Sequence, residues 1–274
     1  MDLSPAERPL IGCLAELKRW GIDSLVLAHV IRVGYAQGAG FGHEDEYRSW
    51  LEERAGPLRD AGLDVSISVT ASGVPADELV SVAKGSGADL VVVGSRSHSF
   101  VHDLFLGSVA TDVIRKSDIP VLIERIEPTE AGTAEGCAAV CANKLDRILL
   151  ATDHSARSRS AEEAAVILAP RAATTDGLTV LPEDEASPDG EALSAAERNL
   201  SDVIRRIEAQ GGRGRVRVER GEPGEVIAKV AQEGYSLIIL GKHGQNWIEG
   251  MTIGSTAAKV CEAAKRPVLM VPTT

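Results

Sequence analysis

Aromatic residues make up only 3 % of this chain, basic residues are outnumbered, and cysteine is rare. Each shortage excludes something. With few aromatic rings, a core must be filled by Ala, Val, Leu and Ile, as where helices pack on a parallel sheet. Lys and Arg number 29 against 40 Asp and Glu, giving a net charge of −11, and they form no cluster. An acidic chain of this kind is a poor partner for nucleic acid or an anionic membrane. No apolar run approaches the roughly 18 residues that a membrane span requires. A basic start followed by an apolar stretch, the mark of a signal peptide, is also missing, so the cytoplasm is the expected compartment.

The four cysteines show no framework spacing. Cys13 and Cys261 fall in apolar helical patterns and read as small core residues. Cys137-x3-Cys141 has no second ligand pair at a metal-site spacing and reads as two free thiols. Some enzymes are excluded by missing motifs. There is no Gly-x4-Gly-Lys-Ser/Thr of a P-loop and no Gly-x-Gly-x2-Gly after a first strand. Asp153, His154 and Ser155 are chain neighbours, which cannot adopt the geometry of a hydrolytic triad.

What is present is a strand leading into an anion site. Leu237-Ile238-Ile239-Leu240 is all apolar and ends in Gly241, the pattern of a strand buried on both faces. Gly241 and Gly244 let backbone approach a ligand where a Cβ would collide. Nine residues later Gly254-Ser255-Thr256 opens a helix from Ala257 to about Ala264, so free N–H groups and two hydroxyls face the strand end.

A shift of 147 positions lays Leu90-Val91-Val92-Val93-Gly94, then Gly107-Ser108, on the same pattern without a gap. The register continues through Ala110/Ala257, Val113/Val260 and Pro120-Val121-Leu122/Pro267-Val268-Leu269. Self-similarity of this length marks a duplicated unit. The chain therefore reads as a first domain over residues 1–124, a Pro-, Gly- and Ala-containing linker over 125–145, and a second domain over 146–274.

In the first copy, Ser4, Pro5 and Glu7 resemble a capping box opening a helix to about Trp20, stopped by Gly21. Ser24–Val30, Val65–Val69, Leu90–Val93 and Val121–Ile123 read as strands. Helices fall at about His43–Ala61, Asp77–Lys84 and Gly107–Lys116. In the second, strands are expected at Arg147–Asp153, Leu178–Leu181, Arg215–Val218 and Leu237–Leu240. Helices are expected at about Ala161–Ala172, Ala195–Gln210 and Pro223–Glu233. Such alternation gives an open parallel sheet with helices on both faces, and ligands then sit where strand order reverses.

Together these residues resemble a tandem universal stress protein, over nearly the whole chain and twice. The resemblance implies two tandem α/β sandwiches of the Rossmann-like, adenine nucleotide alpha hydrolase-like kind. Nucleotide-binding members carry Gly-x2-Gly-x9-Gly-Ser/Thr after the fourth strand and an aspartate after the first. The second copy has all of these. By that resemblance Asp153, with the backbone of Ala151 and Thr152, meets ribose and adenine. Gly241, Gly244, Gly254, Ser255 and Thr256 face the phosphates, and Leu240 lines the pocket. The implied ligand is ATP, with or without Mg²⁺, in a regulatory stress-response role with at most slow hydrolysis. The alternative is a nucleotide-free scaffold acting through protein partners. Family members pair through the last strand, which implies a pseudo-dimer of the two halves and leaves a homodimer open.

The first copy departs from the pattern. Ser97 stands where the second glycine belongs, and Asp2-Leu3-Ser4 matches the end of a first strand with nothing before it to form that strand. Loss of a central strand should split the sheet. A start lying upstream is the favoured explanation, degeneration the other; on either, no competent site is expected in residues 1–124. Lys242 and His243 admit two readings, a charge near phosphate or a solvated loop. Arg96, His98, Phe100, His102, Asp103, Trp247 and Thr252 read as loop residues without a ligand, and Glu183-Asp184-Glu185 as a solvated acidic run. Ala257, where nucleotide binders often have a hydroxyl, would cost one phosphate hydrogen bond, about 1.5–3 kcal/mol.

Overall fold

A computed structural model describes residues 1, 7–32, 43–95, 106–126, 143–183, 190–245 and 252–273. Its contacts divide the chain into two compact units, residues 1–117 with 124–142, and residues 118–123 with 143–274. No helix among the described residues is long and apolar enough to cross a membrane.

The first unit opens with α1 (Glu7–Leu14), which tightens into a 3₁₀ turn over Ala15–Trp20. Gly21 stops it in the left-handed region at φ 87°, returning its N–H to Lys18 O at 3.1 Å. Glu7 is buried and its carboxylate accepts from Arg54 Nε at 2.6 Å; Ser4 lies outside the described residues. Next come β1 (Ser24–Arg32), α2 (Glu44–Asp60), β2 (Asp64–Ser72), α3 (Pro75–Gly85), β3 (Val91–Gly94), α4 (Ser108–Lys116) and β4 (Val121–Glu124). Leu51, Ala55 and Leu58 recur at helical spacing on α2 and are buried, as are Leu27 of β1 and Val65 and Val69 of β2.

β1 and β2 pair in parallel, from Ser24 opposite Asp64 to Arg32 opposite Ser72, as a two-stranded sheet. The expected split of the first sheet is thus observed. Met1 marks where the split falls. Its ammonium donates to Ala28 O at 2.7 Å, and its carbonyl lies 2.7 Å from His29 Nδ1. In the second unit Thr152 does the same work: its N–H donates to Leu178 O (3.0 Å) and its carbonyl accepts from the Thr179 hydroxyl (3.0 Å). Met1 therefore stands one residue beyond the place that β5, described next, fills.

The second unit comprises β5 (Arg147–Ala151), α5 (Arg159–Leu168) with a 3₁₀ turn to Arg171, β6 (Thr174–Leu181), α6 (Glu191–Ala209), β7 (Val216–Arg220), α7 (Pro223–Ala231), β8 (Leu237–Gly241), α8 (Ser255–Ala263) and β9 (Val268–Val271). Strand order is β4–β9–β8–β5–β6–β7. All these pairs are parallel except β4 with β9, where Val121 faces Met270, Leu122 faces Leu269 and Ile123 faces Val268. Residues 118–123 thus cluster with the second unit, although the repeat places them in the first copy. Ile148, Leu149 and Leu150 of β5 and Leu237, Ile238 and Ile239 of β8 are fully buried, as four-residue apolar runs between two helix layers require. On α6, buried Ala196, Leu200, Val203, Ile204 and Ile207 form one face.

β6 begins at Thr174, four residues before the start read from sequence. Thr175 and Asp176 are buried there although polar. The Asp176 carboxylate accepts from the Tyr235 hydroxyl (2.9 Å), Arg147 (3.0 Å) and the Arg215 N–H (3.0 Å), so a charge can sit in a strand interior. Arg147 also lies over the Tyr235 ring, 4.0 Å from its centroid. Burial and the adjacent Asp176 push the Tyr235 hydroxyl up to about 12. Gly177 follows because a Cβ would come within 2.8 Å of Leu200 Cδ2.

The cysteine reading needs one correction. Cys261 is a free buried thiol, but Cys13, though fully buried as expected, is disulfide-bonded. A single-residue spacing carries no information about a bond to a distant thiol, so composition alone missed it. Cys137 and Cys141 lie outside the described residues.

Candidate functional site

In the second unit, sheet order reverses between β5 and β8: β6 and β7 continue on one side, β9 and β4 on the other. A crevice at the carboxyl ends of β5 and β8 is the expected ligand position for such a sheet. Asp153 follows β5 and Gly241 ends β8, so the residues singled out from sequence arrive at this crevice together.

The turn after β8 is built by backbone. Lys242 N–H donates to Val271 O (2.7 Å), and Lys242 O accepts from Gly254 N–H (2.9 Å), drawing the start of α8 against the strand end. Gly254 is extended at φ −69°, ψ 150°, and no side chain caps the helix. Ala258 N–H bonds back to Gly254 O at 2.9 Å. The N–H groups of Ser255, Thr256 and Ala257 therefore have no partner within the helix. They carry the positive end of its dipole. Ser255 is exposed, Thr256 half-buried and Ala257 buried. The helix starts at Ser255 rather than Ala257, which places both hydroxyl residues in its first turn.

The glycines serve close packing of the turn on its neighbours. A Cβ at Gly241 would sit 3.0 Å from His243 O and 3.3 Å from Ser158 Cα. One at Gly244 would sit 2.7 Å from Asp153 Oδ2. That carboxylate is pinned: Oδ2 accepts from Gln245 N–H (2.6 Å) and Oδ1 from Ser155 N–H (3.1 Å). Asp153 is exposed, yet the surrounding chain desolvates it in part, which works to raise its pKa. Hydrogen bonds from Ser155, the Gln245 amide and Ser158 outweigh this and hold the carboxyl below its ordinary value.

The solvated-loop reading of Lys242 does not hold. Its side chain is buried, with 6 % of the residue exposed, and interacts with Asp118. Burial lowers its pKa, against the raising effect of Asp118. An alternating pattern of charge and glycine gave no sign of this, because the segment carrying Asp118 is distant in sequence. His243 is half-buried. Leu240 is buried in β8, Ala151 in β5, and Thr152 just beyond it. Thr252 is exposed, as is Glu183. Ser97, Arg96, His98, Phe100, His102, Asp103, Trp247, Asp184 and Glu185 lie outside the described residues.

Three participants were missed from sequence. Gln245 supplies an amide to Asp153, and Glu162 and Thr179 flank His154, whose ring nitrogens lie 3.2 Å from Glu162 Oε1 and 3.0 Å from Thr179 Oγ1. Only the adjacency of Asp153, His154 and Ser155 pointed here, and it was informative for a triad alone.

The first copy makes the same turn. Ser95 N–H donates to Glu124 O (2.9 Å), and Ser95 O accepts from Gly107 N–H (3.1 Å), each bond matching one in the second unit after the 147-residue shift.

Comparison with known proteins agrees with this duplication. The model of the universal stress protein family matches residues 1–125 and again 144–272. A universal stress protein of Methanocaldococcus jannaschii is 33 % identical over 79 residues, covering 29 % of this chain and 48 % of that protein. One from Bacillus subtilis is 45 % identical over 58 residues, covering 21 % of this chain and 39 % of its own. The chain spans half or less of the length of these curated relatives. The crystal structure of a universal stress protein from Archaeoglobus fulgidus shares the fold, with TM-score 0.77 at 22 % identity over 100 % of this chain and 97 % of that one. With both halves matched, the chain belongs to the universal stress protein family, as a tandem member.

Proposed function

We propose that the second unit binds an adenine nucleotide, ATP with or without Mg²⁺, at the carboxyl ends of β5 and β8, and that the chain acts as a cytoplasmic stress-response regulator through this binding and not through turnover. One observation carries the reading: an uncapped helix start, Gly254-Ser255-Thr256, is held by backbone hydrogen bonds against a glycine-ended strand at the reversal of the sheet. Amides at such a helix start favour phosphate. On this reading Gly241, Gly244, Gly254, Ser255 and Thr256 present donors to the phosphates. Asp153 and the Ala151-Thr152 backbone meet ribose and adenine, and Leu240 forms the floor. The functional domains are residues 1–124, without a site, and 146–274, joined by 125–145.

A second reading, a nucleotide-free scaffold, has one observation in its favour. Asp153 takes the Gln245 amide for itself, so one donor of the turn is used within the protein. Titration calorimetry of the intact chain with ATP and Mg²⁺ separates the two. One bound nucleotide per chain is expected; no heat of binding at millimolar ATP defeats the nucleotide reading and leaves the scaffold.

A further inference from the structure

The second unit holds a cluster of titratable side chains that the proposed site does not use. At its centre is His154, one of two non-glycine residues with positive φ among the described residues, at 57°. Histidine is among the few side chains that enter this region with any frequency. Its own N–H donates to Thr152 Oγ1 at 3.0 Å. The ring reaches two elements, with Nδ1 3.2 Å from Glu162 Oε1 on α5 and Nε2 3.0 Å from Thr179 Oγ1 on β6. The side chains of His154 and Glu162 are 14 % and 9 % exposed.

The Thr179 hydroxyl lies 3.0 Å from both Nε2 and Thr152 O, so it ties the ring to β6 and to the residue that follows β5. Burial works to raise the pKa of Glu162, but hydrogen bonds from His154 and Thr152 and the charges of His154 and Arg206 hold it below the ordinary value. A carboxylate accepts only, so Nδ1 is the ring's donor toward Glu162. The other charged groups around the ring are Asp153, its chain neighbour, and Arg206 of α6, which reaches Glu162 Oε2 at 3.5 Å. Thr152 from β5 and Thr179 from β6 are neutral.

We propose that His154, held between Glu162 and Thr179, is the positioning residue that presents Asp153 to the Gln245 amide and so sets nucleotide affinity. The inference rests on the nucleotide reading of this crevice. Because the chain reverses at His154, Ser155 N–H reaches Asp153 Oδ1 (3.1 Å) while Oδ2 reaches across to Gln245 N–H (2.6 Å). The ring anchors that reversal from two sides, to α5 and to β6.

The test uses the intact ¹⁵N-labelled chain without ligand at pH 7, then calorimetry with ATP. Nδ1 of the His154 ring is expected to carry a proton, directed at Glu162. His154→Gly leaves the left-handed turn open to the backbone but deletes the ring. Glu162→Gln keeps the ring and removes the charge it faces. Thr179→Val, the mildest change, serves if either fails to fold. In each, the Gln245 amide proton should move upfield and exchange faster, and ATP should bind about tenfold more weakly, the scale of one charge-assisted hydrogen bond. A native ring whose Nδ1 carries no proton overturns the proposal, as does a Gln245 amide unmoved in the variants; neither readout needs ATP to bind. Unchanged ATP affinity in variants whose Gln245 amide has moved overturns the link to affinity. If the native chain binds no ATP while ring and amide behave as expected, the nucleotide reading falls and the positioning of Asp153 by His154 is upheld.

Discussion

Two turns in this chain are built alike. Ser95 and Lys242 each follow a glycine at a strand end, donate to the end of a neighbouring strand, and accept from the glycine that opens a helix. What surrounds them differs. In the second unit β5 lies between β6 and β8, and the residues after it bring Asp153 to the turn. In the first, β1 pairs with β2 alone in their sheet, and Met1 occupies the place that Thr152, next after β5, takes in the second unit. The strand-to-helix turn is therefore a packing device that folds with or without a ligand role. What would make it a site is the central strand and the carboxylate it delivers.

The sharpest way to break the comparison is Gly244→Val. A Cβ there meets Asp153 Oδ2 at 2.7 Å, and that oxygen cannot yield without leaving the Gln245 amide. ATP binding should be lost by two orders of magnitude or more, about 3 kcal/mol, with the melting curve little changed; an unchanged dissociation constant by calorimetry would count against the site. Next in size is Asp176→Ala, which strips a buried charge from Arg147 and Tyr235 and should cost about 3–4 kcal/mol of the second unit's stability in urea melts. Leu150→Ala, in the fully buried centre of β5, should cost about 3 kcal/mol. Val26→Ala, on the 39 % exposed edge strand β1, should cost about 0.5 kcal/mol. Equal losses for that last pair would mean that the two sheets are not the unequal structures described.

Acid and base sharpen the contrast further. Asp153 and Glu162 have lowered pKa values, so the stability they contribute is complete above the ordinary carboxylate value of about 4 and is lost as pH falls through their lowered ones. Tyr235 is raised to about 12; its contribution is complete below about 10 and disappears as pH rises through about 12. Melting temperatures across both ranges check the signs. The smallest effect expected is none: Ser97→Gly restores the second glycine of the first copy, yet nucleotide stoichiometry should stay at one per chain.

Much of this was legible because apolar runs and glycines speak for themselves. Leu237–Leu240 announced a strand buried on both faces, and the 147-residue register announced the second copy. Polar residues inside elements were harder. Thr174–Asp176 looked like loop because the partners that neutralise Asp176 stand 29 and 59 residues away. The burial of Lys242 went unread because Asp118 is far in sequence, and Cys13 gave no hint of its disulfide. His154 was visible only as part of an impossible triad, since its partners on α5 and β6 meet it through the fold.

The burial of Lys242 has a chemical corollary. In the crevice as proposed, the attraction for phosphate comes from peptide dipoles and not from an amine facing the ligand. Peptide N–H groups do not deprotonate in the physiological range and offer nothing to an acyl donor. A holding force of that kind would stay constant through changes in cell acidity or lysine acetylation, leaving regulation to whatever moves Asp153.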